Sequence, residues 1–144
     1  MKKINILIIG LLFAVTVMAS AVEASEYIGD YCWNVTPQGT AVTGLLRMGV
    51  FHFGADHYVM SGTLTAGAVI IPYRGNMELI NSTYVGSLIN AGISQAVIFN
   101  QNAAFQLDTS FNGTYKGISN FYNTSGNQVT STVDLGTFTK VPCP

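Results

Sequence analysis

Charge is what this chain has least of. Lys and Arg together number six and Asp and Glu seven, so charged side chains make up 9% of the 144 residues, against about 25% in an ordinary soluble domain. Two of the six basic residues, Lys2 and Lys3, stand at the very start. Beyond residue 24 there remain Arg47, Arg74, Lys116 and Lys140 against Glu26, Asp30, Asp56, Glu78, Asp108 and Asp134, a net charge of about minus two. No basic stripe is present, which excludes a nucleic-acid partner. The polar surface therefore has to come from Asn, Thr, Ser, Gln and Gly, a bias of extracellular all-β proteins. Abundant Phe, Tyr, Val, Ile and Leu separate this composition from disorder.

Catalytic signatures are missing too. The chain has no His-Glu-x-x-His, no Gly-x-Ser-x-Gly and no Walker loop. Gly92-Ile93-Ser94-Gln95-Ala96 misses the nucleophile elbow at its last residue. Outside the first residues no segment has a convincing helical period, and no repeat of fixed length recurs. There is one Trp, and there are two Cys and two His.

The start of the chain is a targeting signal. Basic Met1-Lys2-Lys3 precedes an apolar run from Ile4 to Met18, then small residues from Ala19 to Ala24. This is the layout of a secretory signal peptide, with cleavage after Ala24 or after Ala21. The run is shorter than the ~20 residues that span a bilayer, so the alternative, an uncleaved anchor, fits less well. No Cys stands at the cleavage point to carry a lipid. The short dilysine signal has a bacterial look, and a secreted or periplasmic location follows. Residues 1–24 are thus the signal and 25–144 a single domain. In an oxidising compartment Cys32 and Cys143 most simply form one disulfide; the alternative is two free thiols, one kept for a partner.

The mature chain reads as strands. From Tyr27 to Val35 the odd positions Tyr27, Gly29, Tyr31, Trp33 and Val35 face one way and Ile28, Asp30, Cys32 and Asn34 the other. Thr36-Pro37-Gln38-Gly39-Thr40 is a turn. Leu45–Phe53 and His57–Thr65 form a hairpin around Gly54-Ala55-Asp56. Ala66–Ile71 is a short apolar run, either a buried strand or a loop over a barrel end. Arg74–Ile80 and Thr83–Asn90 pair around Asn81-Ser82. Gln95–Asn100 and Ala103–Asp108 are the next pair, followed by strands over 113–122 and 129–141. Ser87–Phe99 is where a helix competes, against its β-branched and Gly content. Eight to ten short strands result. Joined by short hairpins, they favour an antiparallel up-and-down barrel of about eight strands, whose closure removes free edges. A first-to-last disulfide requires Cα atoms within ~7 Å, as closure provides; a two-sheet sandwich is the competing architecture.

Gly29-Asp30-Tyr31 followed by Trp33 is similar to the Gly-x-Trp motif that opens lipocalins, and the strand meander resembles the calycin group, lipocalins and avidins, over the whole mature chain. The departures are Tyr31 at the Trp position, no central Thr-Asp-Tyr motif, and Lys140 as the one candidate for the late basic residue that covers the motif's ring. The resemblance implies a barrel and a small-ligand role.

Among the residues themselves, His52, Asp56 and His57 flank the first hairpin and could make a metal or acid–base site, or simply a polar hairpin tip. Glu78 beside Arg47 or Arg74 is either a buried pair or a solvated charge, and Asp108 reads as a turn cap. Four Asn-x-Ser/Thr matches, at Asn34, Asn81, Asn112 and Asn123, are expected by chance in a chain of this composition. The aromatic stock suits either a packed core or an amphipathic wall. As a wall, Tyr31, Trp33, Tyr58, Phe105 and Tyr115 are the candidate ligand-binding residues. The expectation is a non-enzymatic exported binding protein for a small apolar or amphipathic ligand or a protein partner. It has no cofactor, no metal and no membrane span after signal removal. The alternative is a subunit of a cell-surface or extracellular assembly.

Overall fold

The computed structural model describes residues 25–94 and 97–144. The expected signal over residues 1–24, with its cleavage after Ala21 or Ala24, lies outside the described residues, as does Gln95. Eight strands follow one another: β1 (Glu26–Pro37), β2 (Gly44–His52), β3 (His57–Ala66), β4 (Val69–Ile80), β5 (Thr83–Ser94), β6 (Val97–Leu107), β7 (Gly113–Asn123) and β8 (Gln128–Val141). Each pairs antiparallel with its sequence neighbour, and β8 pairs back onto β1, so the sheet is a closed up-and-down barrel. The sandwich is thereby excluded.

Period-two alternation builds the walls. In β6, Ala103, Phe105 and Leu107 are buried while Asn102, Ala104 and Gln106 are exposed; β7 repeats the pattern with Tyr115, Gly117 and Ser119 turned inward. A two-residue connection at Asn81-Ser82 and a four-residue one between His52 and His57 set the register of their hairpins. Asn81 and Ser82 both have positive φ, 49° and 64°, the twist that joins adjacent antiparallel strands without splaying them. At the first hairpin Gly54 and Ala55 are left-handed, and the His57 amide closes the turn on the Gly54 carbonyl at 3.0 Å.

The structure corrects one expected hairpin and decides two points left open. Gln95–Asn100 and Ala103–Asp108 are not a hairpin: Gln101 and Asn102 continue the ladder between β5 and β7 as part of one strand, β6. Val69–Ile71 of the short apolar run continues through Pro72 into β4. No helix forms within Ser87–Phe99, whose described residues belong to β5 and β6.

The seam between β1 and β8 is the shortest pairing, six residue pairs from Cys32↔Val141 to Pro37↔Gly136. At its end Cys32 and Cys143 are disulfide-bonded, with Cα atoms 5.2 Å apart. Cys32 is fully buried between neighbours that alternate inward, Tyr31 and Trp33.

The barrel has a packed half and an open half. Trp33, Met48, Val50, Met60, Phe105 and Phe138 fill the half nearer the disulfide, and Met48 and Val50 have no exposed surface. A void of about 10 Å³ is all that remains among them, as expected for side chains packed to crystal-like density. Phe105 lies so close over Gly86 that a Cβ there would sit 2.5 Å from its ring.

The end below this core is sealed by the β6–β7 loop. Asp108 caps that loop, its Oδ1 accepting the amides of Ser110 (2.8 Å) and Asn112 (3.0 Å). Phe111 is held at φ 61°, a conformation that costs a non-glycine residue ~1–3 kcal/mol unless its surroundings hold it. They do: the Trp33 indole donates to its carbonyl at 2.7 Å, and its ring stacks on Tyr84 at 4.7 Å and meets Tyr31 at 5.1 Å. The Lys140 ammonium lies 4.3 Å from the Tyr31 ring centre and 4.5 Å from that of Phe111, cation–π distances.

Candidate functional site

The open half of the barrel holds a cavity of about 610 Å³, inside the ~300–1,000 Å³ range of small-molecule sites. Its floor is the packed core, reached at Leu46, Leu88 and Phe138, and Val42, Val69, Val97 and Phe121 line it towards the opposite barrel end. The wall is divided by chemistry. On β1 to β4 it presents Val35, Leu46, Leu64 and Ile71. The five consecutive strands β4 to β8 carry its polar side chains: Tyr73, Asn90, Gln101, Ser119 with Tyr115, and Asp134.

Register sets three of these, Asn90, Gln101 and Ser119, level with one another. Asn90 pairs with Gln101 across β5 and β6, Gln101 with Ser119 across β6 and β7, and Ser119 with Thr132 across β7 and β8. All but Tyr115 form one connected belt. Gln101 Nε2 donates to Asp134 Oδ2 at 2.8 Å and Ser119 Oγ donates to the same oxygen. Asn90 Nδ2 donates to Gln101 Oε1 at 3.0 Å, and the Tyr73 hydroxyl donates to it as well.

The belt has a direction that Asp134 imposes. A carboxylate only accepts, so the Gln101 amide must turn its nitrogen to Asp134 and its oxygen to Asn90 and Tyr73. Asn90 must then offer its nitrogen to Gln101, which leaves Asn90 Oδ1 buried with no hydrogen-bond partner. Asn90 is 8% exposed, and a buried acceptor without a donor is costly by ~1–3 kcal/mol. Asp134 Oδ1 makes only a 3.4 Å contact, from the Thr132 hydroxyl.

No basic side chain faces this belt. Among the described residues, Arg47 pairs with Asp30 on the outside of the wall, its Nε 3.0 Å from the carboxylate. There the Tyr27 hydroxyl and then Arg47 hold the Asp30 carboxyl below its ordinary range. Arg74 and Lys116 are exposed on outward positions, and Lys140 caps the far end. Asp134 is thus, among the described residues, the one charged side chain lining the cavity. Burial pushes the Tyr73 phenol up to about 12, with the Asn90 amide working partly against it, and burial followed by the Asp134 charge raises Tyr115.

Of the five residues expected to form a ligand wall, Tyr115 lines this cavity. Trp33 and Phe105 belong to the packed floor beneath it. Tyr31 and Tyr58 lie nearer the sealed end, Tyr31 stacked 6.1 Å from Trp33 and Tyr58 edge-on to Tyr84 at 5.8 Å. The belt escaped sequence reasoning. Its signal was there in parity: Gln101 shares a face with Ala103, Phe105 and Leu107, and Asp134 with Phe138.

The hairpin residues have separate partners. The His52 ring meets the Ala55 carbonyl, and His57 Nε2 lies 3.9 Å from Glu78. Glu78 is exposed. Among the described residues no three His, Cys, Asp or Glu side chains stand close enough to hold a metal, and no helix is long and apolar enough to cross a membrane. A second depression, about 710 Å³, lies outside the barrel between the Thr36–Thr40 turn and outward residues such as Gln106, Thr114 and Lys116. It is the larger of the two, but neither Asn90 nor Ser119, the buried polar side chains, lines it.

The chain matches no family model, no curated protein and no solved structure.

Proposed function

We propose that this is an exported, non-enzymatic, calycin-like protein that carries a small amphipathic ligand in the open half of its barrel. The carrying observation is the divided cavity: about 610 Å³ with an apolar wall on one side and a hydrogen-bonded polar belt on the other. A narrow barrel needs side chains to fill it, and here filling stops halfway along. Supporting the calycin-like reading, Gly29-x-Tyr31 opens the barrel, and Lys140 covers the Tyr31 ring where that group places a basic residue over its Trp. The disulfide fits an oxidising compartment.

Uptake of N-phenylnaphthylamine, a neutral apolar fluorophore, tests the reading. Saturable binding with blue-shifted emission is expected from the wild type, and its loss is expected in Leu64→Trp, which fills the apolar side. Absence of uptake by the wild type, or equal uptake by a folded Leu64→Trp variant, refutes it.

The alternative, an assembly subunit, draws on the outer wall. Ile89, Ile118 and Val133 are exposed in one cross-strand row through Asn102. The seam joins β8 to β1 only over Gly136–Val141, so Gln128–Asp134 of β8 keeps one edge open for pairing, and such an assembly would rest on that edge as well as on these side chains. A strictly monomeric species in sedimentation at high concentration counts against it.

A further inference from the structure

We infer that the cavity selects a ligand bearing one cationic amine on an apolar body, with the ammonium seated against Asp134. This rests on the carrier reading above and names the ligand class. Three observations carry it. Asp134 is the one charged side chain among the cavity's described lining residues, and each of the four basic residues in the described chain is placed outside the wall or at the far end. Among the described residues no basic side chain neutralises the carboxylate; its partners are the amide and hydroxyl donors of Gln101, Ser119 and Thr132. The second observation is the direction of the belt, which ends in an acceptor, Asn90 Oδ1, with no donor. Asn90 Oδ1 is itself buried out of a ligand's reach, so the fixed group the site offers is the Asp134 carboxylate, which accepts N–H donors. The third is the opposite wall of Val35, Leu46, Leu64 and Ile71, which offers an alkyl or aryl body only dispersion and burial.

The same arrangement discriminates against other ligands. A hydrocarbon filling the cavity strips water from Asp134 and returns no hydrogen bond, which is costly for a charge. A fatty acid places a second carboxylate beside the first. An alcohol of equal length offers one neutral hydrogen bond, roughly half as strong as the charge-assisted bond of an ammonium.

Competition against N-phenylnaphthylamine tests this with a matched set: n-octylamine, n-octanol and octanoate. In the wild type the amine is expected to compete about tenfold or more better than the alcohol, with octanoate weakest. In Asp134→Asn the preference for amine over alcohol collapses while the alcohol's own affinity stays within about threefold. Glu26→Gln, which removes an exposed carboxylate outside the cavity, keeps the preference. If amine and alcohol compete equally in the wild type, the amine assignment is overturned and the carrier reading stands. If the fluorophore itself does not enter, both fall. The wild-type comparison decides the question even where Asp134→Asn fails to fold.

Discussion

Removing the disulfide tests what holds the barrel shut. Cys32 and Cys143 are 111 residues apart in sequence, and closing a loop of that length removes chain entropy from the unfolded state worth ~5 kcal/mol on the loop-entropy model. That is comparable to the whole stability of a small domain, ~5–15 kcal/mol. The bond also sits at one end of the β1–β8 seam, whose six residue pairs compare with eleven between β5 and β6. Two effects are therefore superposed: a general one through the unfolded chain and a local one at the seam. The Cys32→Ala/Cys143→Ala variant, unfolded in urea, is expected to lose about 3–5 kcal/mol. Hydrogen exchange then separates the two effects. Global destabilisation speeds every amide that exchanges by full unfolding equally, whereas seam opening speeds the amides of β1 and β8 beyond those of β5 and β6. The expected result is the second pattern on top of the first. A loss below about 1 kcal/mol, or uniform acceleration across all strands, refutes the assignment of the disulfide as the clamp of the seam.

Two further predictions concern the inner wall. Burial raises Tyr73 from 10.0 to about 12, so its contribution to stability is whole below pH 10 and is lost as pH rises towards 12. Tyr73 should contribute a fall equivalent to ~2–3 kcal/mol in urea unfolding across that window, and Tyr73→Phe should remove that share, leaving the smaller one from Tyr84 and Tyr115, which burial also raises. An unchanged slope in Tyr73→Phe defeats the assignment. At Gly62 a Cβ would stand 1.8 Å from the Arg47 carbonyl oxygen, a backbone atom that cannot turn aside. Gly62→Ala should cost more than ~3 kcal/mol in thermal or urea unfolding, at or beyond the usual range for overpacking, while the exposed neighbour Ser61→Ala stays within ~0.5 kcal/mol. Similar stability for the two variants refutes the clash.

How much of this was legible beforehand differs element by element. Gly29–Val35 shows its alternation openly, and Cys32 falls on the opposite parity from Tyr31 and Trp33, as the structure has it; Tyr27, expected on the Tyr31 face, is carried by a bulge before Gly29 to the outer face, where its hydroxyl donates to Asp30. The turns at Gly54-Ala55-Asp56 and Asn81-Ser82 carry residues that tolerate positive φ, and both are hairpins. Asp108 was readable as a cap because an Asx turn is a local hydrogen bond. Gln101-Asn102 misled for the same kind of reason: two polar residues inside an apolar run have the local composition of a turn, and only the ladder with Asn90 and Ser119 shows Gln101 to be an interior side chain. Phe111, read as part of a turn, becomes the ring that seals the end through partners at Trp33 and Tyr84, far away in the chain.

What the amino-acid order determined by itself was most of what neighbours set: most of the strands and turns, and the single available cysteine pair. A period of two says which residues share a face. It cannot say which of two faces becomes the inside, nor at what height one strand's residue meets the next strand's. Those are properties of register and closure. Tyr73, Asn90, Gln101, Ser119 and Asp134 are unremarked polar residues on five strands, and no local pattern links them. Tertiary structure put them on one wall within hydrogen-bonding reach, and the acceptor-only chemistry of Asp134 then oriented the belt and left Asn90 Oδ1 without a donor. The barrel's existence was written in the pattern of the chain; its cavity, and what that cavity asks of a ligand, came only when the sheet closed.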